Sequence, residues 1–377
     1  MKILVSAGEV SSDLYGSFLV KEIVRTSRDL SLQILGMGGE KLAAAGMDVR
    51  CDIIERSSVG LVETLPNIPA IYLVLRKMIS LLDKEKPDLV LAIDSQGFNL
   101  PLLREAKKRG IKTAYFIPPQ EWLWGTEENL KKVVAVCDLI IEIFEDGYKA
   151  YKENGGNVKY FGHPILDIAK STLPKETFLK KHGLKNAFPI ISLGLGSRKQ
   201  ELKKLLPKIL KTAELVAKEF RGAQFLIPLS NTKFRKTIER HLKKYKINAK
   251  TIEDSSYNIL NASDLLITKS GTINVEACVL NIPNIMMYEV HPFTYWIAEK
   301  VLKIKVPPYF SLPNLIAKEK IIPEFVQKEA DPKKIAAEAV KILKNPQEIK
   351  IRMQKVTAAL GSPGAIKKIS AEISSLI

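Results

Sequence analysis

The sequence predicts an α/β protein built of two parallel-sheet domains that face each other across a cleft. Short apolar runs of strand length alternate with amphipathic segments of helix length, the pattern of a parallel sheet covered by helices. The alternation runs twice, in two series of similar size, with no sequence repeat behind it. At 377 residues the chain also exceeds one ordinary core, and two domains of about 150–200 residues each are expected.

The first series opens with an apolar run at residues 3–6, too short for a signal peptide and leading straight into a turn of glycine and acid. A helix is expected over about residues 13–27, a strand at 32–37, and a helix at 40–45 stopped by Gly46. The strand at 89–93 follows Lys86-Pro87-Asp88 and ends in Asp94; strands at 112–116 and 139–143 complete this half. The second series places strands at 190–193, 224–228, 265–268 and 285–288, with helices between, and residues 161–174 read as the linker. The expected division is 1–165, 166–350, and a C-terminal helical segment 351–377 that packs back on the first domain or on a partner subunit. In open sheets of this kind ligands bind beyond the carboxyl ends of the strands, so the loops there carry the argument.

Composition excludes several classes. Three scattered cysteines without CxxC spacing argue against a disulfide framework or a zinc site and suit a reducing cytosol, and four histidines make a histidine-rich metal centre improbable. No metal site is expected. Nothing reaches the roughly 18 apolar residues needed to span a bilayer. The net charge of +17, from 58 basic against 41 acidic residues, attracts polyanions and anionic membrane surfaces. No aromatic RNA-binding pattern, zinc finger or helix-turn-helix sharpens a nucleic-acid reading. A lysine-rich exterior accounts for much of the surplus, and the remainder favours an anionic lipid substrate.

Four loops after strands carry chemistry-bearing residues. Gly8 permits a tight turn, and Ser11 or Ser12 can cap the next helix; an ordinary strand–turn–helix explains this loop equally well. Asp94, at the end of a buried strand, is placed to accept a proton from a hydroxyl, or else to cap the helix that follows. Gly194, Gly196, Ser197 and Arg198 let backbone amides and a guanidinium approach a diphosphate, though the loop lacks the Walker spacing. Ser270, Gly271 and Thr272 offer donors at a helix start, and Glu276 one turn on can accept from ribose hydroxyls. The last two loops share one half, which favours a nucleotide-diphosphate pocket. Residues 59–78 are unusually apolar and carry Arg76 and Lys77, as core helix or as a membrane-dipping edge. Trp122 and Trp124 beside Pro118-Pro119 suit sugar stacking, a lipid interface or packing. His163 and residues 311–314 read as edge loops of the cleft.

In order, the chain shows Ala7-Gly8-Glu9 with Ser11 and Asp13, Gly36-Met37-Gly38-Gly39-Glu40, Ile93-Asp94 with Phe98-Asn99, Trp122-Leu123-Trp124 and Gly162-His163-Pro164. Gly196-Ser197-Arg198 with Glu201, Ser270-Gly271-Thr272 with Glu276, Pro292-Phe293-Thr294 and Leu312-Pro313-Asn314-Leu315 follow. This series resembles the lipid-A-disaccharide synthase family, the family-19 glycosyltransferases of outer-membrane lipid biosynthesis, from the first strand to about residue 330.

The resemblance implies a GT-B fold, two Rossmann-like domains, with an N-terminal acceptor-binding and a C-terminal nucleotide-sugar-binding half. It implies an inverting transfer from UDP-2,3-diacylglucosamine to 2,3-diacylglucosamine 1-phosphate, giving a β-1,6-linked disaccharide 1-phosphate and UDP. Asp94 would be the general base and Arg198 would stabilise the diphosphate charge. Gly196, Ser197, Arg198, Glu201, Ser270, Gly271, Thr272 and Glu276 would hold the donor. Gly8, Glu9, Ser11, Asn99, Trp122, Trp124, His163 and Asn314 would line the acceptor side. The family needs no metal or cofactor, works from the cytoplasm as a peripheral protein on the inner-membrane face, and suggests a homodimer through exchanged C-terminal segments. The chain departs from the family pattern at Ser12, at Gln96-Gly97 where proline and a second acid are usual, at Gly125 in place of arginine, and at Leu195 in place of proline. Another GT-B lipid glycosyltransferase, a UDP-sugar 2-epimerase and a basic non-enzymatic binding protein are the rival readings.

Overall fold

The computed structural model describes residues 1–54, 68–196, 199–229, 232–289 and 308–377; the side chains of residues 124 and 199–201 are outside that description. The chain divides into two compact units, Met1–Ile168 with Leu360–Ile377, and Ala169–Ala359. These bounds replace the expected breaks at 165/166 and 350/351. The helix Pro346–Ala359 stays with the second unit and only the helix Ala365–Ser374 returns to the first.

The first unit holds a seven-stranded parallel sheet: β1 (Lys2–Ala7), β2 (Gln33–Met37), β3 (Asp48–Cys51), β4 (Leu89–Ile93), β5 (Lys112–Phe116), β6 (Leu139–Glu142) and β7 (Val158–Tyr160). They lie in the order β3-β2-β1-β4-β5-β6-β7. The second unit holds a six-stranded parallel sheet: β8 (Ile190–Gly194), β9 (Gln224–Pro228), β10 (Asn248–Ile252), β11 (Leu265–Lys269), β12 (Asn284–Tyr288) and β13 (Glu324–Val326), ordered β10-β9-β8-β11-β12-β13. In each sheet the strand order reverses once, between β1 and β4 and between β8 and β11. Those reversals open the crevices where α/β sheets take their ligands.

Every strand read from sequence is present, and the four that were missed, β3, β7, β10 and β13, are the four sheet edges. The reason is burial. Central strands of a parallel sheet are covered on both faces and become continuous apolar runs. β4 (Leu-Val-Leu-Ala-Ile) is buried throughout, whereas β10 (Asn-Ala-Lys-Thr-Ile) is buried only at Ile252.

An aspartate ahead of one strand repeatedly accepts from an amide at the start of its neighbour. Asp88 accepts from Lys2 N at 2.7 Å, Asp138 from Thr113 N at 2.9 Å and Asp264 from Ile190 N at 2.8 Å. These bonds align the starts of β1 with β4, β5 with β6 and β8 with β11. They fix a register that apolar side chains alone would hold less tightly.

The helix Val10–Thr26 starts three residues earlier than expected. Glu9 is its N-cap, and Ser12 acts as the reciprocal partner: its hydroxyl accepts from Glu9 N at 2.9 Å. Against this helix packs the C-terminal helix Ala365–Ser374, whose first turn is capped from outside. The Asp167 carboxylate accepts from Gly364 N at 2.6 Å and Ile366 N at 2.9 Å. Replacing Asp167 with Ala should cost about 1 kcal/mol, as for other helix caps, and should speed amide exchange across 364–377 first. Unchanged exchange there would show that the cap does not hold the segment.

Candidate functional site

At the reversal in the first sheet, β1 runs into Gly8-Glu9 and β4 into Asp94-Ser95. The two loops touch: a Cβ added to Gly8 would stand 3.1 Å from Ser95 Oγ, with Ile53 and Met37 at 3.3 and 3.4 Å. Asp94 and Ser95 both adopt left-handed backbone, with φ of 54° and 51°. Neither residue is glycine, and such conformations cost on the order of 1–3 kcal/mol each unless the surroundings impose them.

The surroundings do impose them. Asp94 N donates to Phe116 O at 3.1 Å, while the Asp94 carbonyl accepts from Asn99 Nδ2 at 2.6 Å and from the Tyr115 hydroxyl at 2.9 Å. Asn99 is held in turn by the Ser6 hydroxyl, which donates to its Oδ1 at 2.6 Å. Asn99 is fully buried. Sealed from solvent, it holds the Asp94 backbone rather than lining a surface.

The Asp94 side chain is half-buried and its Oδ1 accepts from Ser95 N at 2.8 Å. Burial raises its pKa, the neighbouring Glu9 carboxylate raises it further, and the Ser95 amide opposes both; the result is about 7. A carboxylate in that range can take a proton from an alcohol near neutral pH.

The other first-unit residues separate by burial. Gly8 is buried, whereas Ser11 is half-buried within the helix. Trp122 is half-buried; its indole N–H donates to Gln120 Oε1 at 2.6 Å and its ring lies 6.0 Å from Phe144. His163 is buried between Tyr15 and Phe144, ring centroids 6.0 and 5.3 Å away, and its Nδ1 accepts from Ile165 N at 3.0 Å. Burial lowers its pKa to about 3, so it is a neutral packing residue rather than an acid or base. The Trp124 side chain lies outside the described residues, as does the apolar stretch 59–66.

Two residues that the sequence reading passed over belong to this end of the sheet. Tyr115 is fully buried in β5, and a hydroxyl there had to find a partner. Glu142 ends β6 fully buried; its Oε1 accepts from Ile143 N and Phe144 N, and burial pushes its pKa up to about 8.

At the reversal in the second sheet, β8 leads to Gly196, whose φ of 87° suits glycine, and β11 leads to Ser270-Gly271. Ser197, Arg198 and the Glu201 side chain lie outside the described residues, as do His291 and Pro292-Phe293-Thr294. Gly194 and Thr268 are packed so closely that a Cβ on Gly194 would stand 2.2 Å from Thr268 Oγ1. The helix Thr272–Val279 starts after Gly271, whose amide donates to Asn274 Oδ1 at 3.2 Å. Ser270 Oγ donates to Phe310 O at 3.0 Å, which joins this turn to the segment 310–314. Glu276 is buried to 6% exposure, with the Tyr257 hydroxyl 3.5 Å from its Oε1.

Asn314 is fully buried, like Asn99. Its Oδ1 accepts from Ile321 N and Ile322 N, and its Nδ2 donates to Ile322 O and Glu324 Oε1. Glu324 also accepts from Ser311 N at 2.7 Å and Ser311 Oγ at 2.6 Å. Asn314 thus shapes the loop and lines no acceptor surface. Among the described residues no cluster of His, Cys, Asp or Glu could hold a metal ion.

Two all-parallel α/β units, each carrying its candidate loops at a strand-order reversal, place the chain in the GT-B class. The solved UDP-GlcNAc 2-epimerase of Neisseria meningitidis, bound to UDP-GlcNAc, shares this fold with a TM-score of 0.66 over 100% of both chains at 16% identity. The family model for lipid-A-disaccharide synthetase matches residues 3–373. The lipid-A-disaccharide synthase of Gloeothece citriformis is 34% identical over 381 residues, covering 99% of each chain, and that of Persephonella marina is 36% identical over 378 residues, covering 97% of each. The chain belongs to the lipid-A-disaccharide synthase family and is a glycosyltransferase.

The departures from the family pattern differ in structural cost. Gly97 faces open space, with nothing within 4 Å of an added Cβ, whereas a Cβ on Gly125 would stand 1.6 Å from Glu121 Oε2. Only the second position is dictated by its neighbours. For Asp94, the electrostatics predict a direction. Glu9→Gln keeps an oxygen for the helix cap and removes the like charge that disfavours ionised Asp94. The acid limb of the kcat/KM profile should therefore move to lower pH. A limb that stays in place would remove Glu9 from the site.

Proposed function

We propose that the protein transfers the acylated sugar of UDP-2,3-diacylglucosamine to the 6-hydroxyl of 2,3-diacylglucosamine 1-phosphate, with inversion. The observation that carries this reading is Asp94, a carboxylate with a pKa near 7 on a strained loop at a ligand crevice, in a chain of this family. Asp94 takes the proton of the acceptor hydroxyl as its oxygen attacks the anomeric carbon from the face opposite UDP. The glycosidic bond forms, the bond to the diphosphate breaks, and UDP leaves with the electron pair. Arg198, Gly196, Ser197, Glu201 and the turn Ser270-Gly271-Thr272 hold the nucleotide, the guanidinium balancing charge that develops on the diphosphate. Glu276 and Tyr257 sit at the ribose end. No metal enters this scheme.

The acceptor and donor are both lipids, and a surface suited to their membrane is present. On the helix Ile68–Glu85, Ile68, Tyr72 and Leu73 are 49, 57 and 66% exposed, one turn from the exposed Arg76 and Lys77. No helix among the described residues is long and apolar enough to cross a bilayer. Apolar side chains beside cations, on a chain of net charge +17, favour peripheral attachment to an anionic surface such as the cytoplasmic face of the inner membrane.

Mass spectrometry after incubation with both substrates should show the disaccharide 1-phosphate and an equivalent of UDP. Epimerisation of UDP-GlcNAc without lipid product would overturn the assignment. Asp94→Asn should lower turnover by roughly 10²–10⁴-fold, the usual worth of a general base, while UDP binding by calorimetry stays within a few-fold. Residual activity near wild type would mean another base. Tyr72→Glu with Leu73→Glu should weaken sedimentation with phosphatidylglycerol vesicles and leave thermal unfolding unchanged; equal sedimentation would exclude this helix as the contact.

A further inference from the structure

Beyond β4 and β5 of the first sheet, one buried acid has no part in the scheme above. Glu121 opens the short helix Glu121–Trp124 and is only 8% exposed. Both its carboxylate oxygens are engaged. Oε1 accepts a short hydrogen bond from Gln96 Nε2, and Oε2 accepts from Asn129 Nδ2 at 3.2 Å.

The geometry of Gly125 shows how closely this carboxylate is built in. The Glu121 side chain folds back under its own helix, where Gly125 N donates to Glu121 O at 2.9 Å. It occupies the space a side chain at 125 would fill, since an added Cβ there would collide with Oε2. Gln96, in contrast, is an exposed residue at the first position of the helix Gln96–Lys108. Nothing but its bond to Glu121 explains a fixed place for that side chain among the described residues.

The two partners sit on either side of the base. Gln96 follows the left-handed pair Asp94-Ser95 directly, and Glu121 directly precedes Trp122. The buried bonds from Asn99 and Tyr115 hold the Asp94 backbone from below, and they do not reach the tryptophan loop. Gln96–Glu121 is the link that does. A hydrogen bond to a charged group is worth enough to hold a loop that exposure would otherwise free.

We propose that Glu121 is a positioning residue that ties the Asp94 loop to the Trp122 loop through Gln96 and so sets where the acceptor sugar lies relative to the base. This rests on the acceptor side being formed by these loops, as proposed above. It makes acceptor recognition, not donor recognition, sensitive to a bond that touches neither substrate.

The test is steady-state kinetics with each substrate varied, beginning with wild type. If wild type forms no disaccharide, the functional assignment fails and not this inference. With an active wild type, Gln96→Ala, a change at an exposed position that leaves folding intact, should raise the acceptor KM roughly tenfold, the equivalent of one charge-assisted hydrogen bond. The donor KM should stay within twofold. Glu121→Ala should do the same, and the double variant should be no worse than either single one. Gln96→Arg, which can still donate to Glu121, should restore the acceptor KM, and should not restore it when Glu121 is Ala. An unchanged acceptor KM in Gln96→Ala, equal shifts in both KM values, or additive effects in the double variant would overturn the proposal.

Discussion

The candidate site rests on one strained turn. Two successive non-glycine residues, Asp94 and Ser95, are held left-handed at the point where the first sheet reverses its strand order. A turn of that kind persists only when neighbours over-determine it. The Asp94 carbonyl accepts from both Asn99 and Tyr115, and the Ser6 hydroxyl fixes Asn99. The strain is local, but the bonds that hold it draw on β1, β4, β5 and the helix after β4. The position of the Asp94 carboxyl is thus a property of the whole central sheet. This also explains two fully buried polar side chains, Ser6 and Asn99, in a region that is otherwise apolar.

Burial assigns different work to ionisable groups of similar type. Burial raises the pKa of Asp94, Glu9 adds to the rise and the Ser95 amide opposes it, so it reaches about 7. Glu142, two strands away and closed to solvent, rises to about 8 and stays a neutral acid at neutral pH. Asp138, beside Lys107 and the Thr113 amide and hydroxyl, has its pKa lowered: those bonds outweigh the desolvation that alone would raise it. Three acids at the ends of one sheet thus stand as a half-buried carboxyl, a sealed one and a strand anchor.

A parallel logic orders the second unit without duplicating the first. At its reversal the described residues include no acid in left-handed backbone, and the amides of Ser270 and Gly271 donate to Met287 O and Asn274 Oδ1. The loop carrying Ser270 is braced by Phe310 O, and that segment is braced by Asn314 and Glu324. In both units an asparagine that reads from sequence as a ligand-facing residue is a fully buried brace. The donor–acceptor versatility of an amide suits it to that task.

Much of this was legible in the residues themselves. The nine central strands announce themselves because two-sided burial demands unbroken apolar runs, and the loops after β1, β4, β8 and β11 follow from the alternation of strand and helix. Asp94 stood out as the acid that closes the buried β4, but Glu142 closes β6 in the same way, and only burial and neighbours separate the two. The four edge strands were not legible, because one open side removes the pattern that marks a strand. Nor were the roles of Asn99, His163, Asn314 and Glu121. The sequence determined which chemical groups stand at the crevices and in which half of the chain. Only the tertiary structure decided which are open and which are sealed, because burial and hydrogen-bond partners come from distant segments, as with Ser6 and Asn99, 93 residues apart, and His163, whose amide donates to Leu360 O.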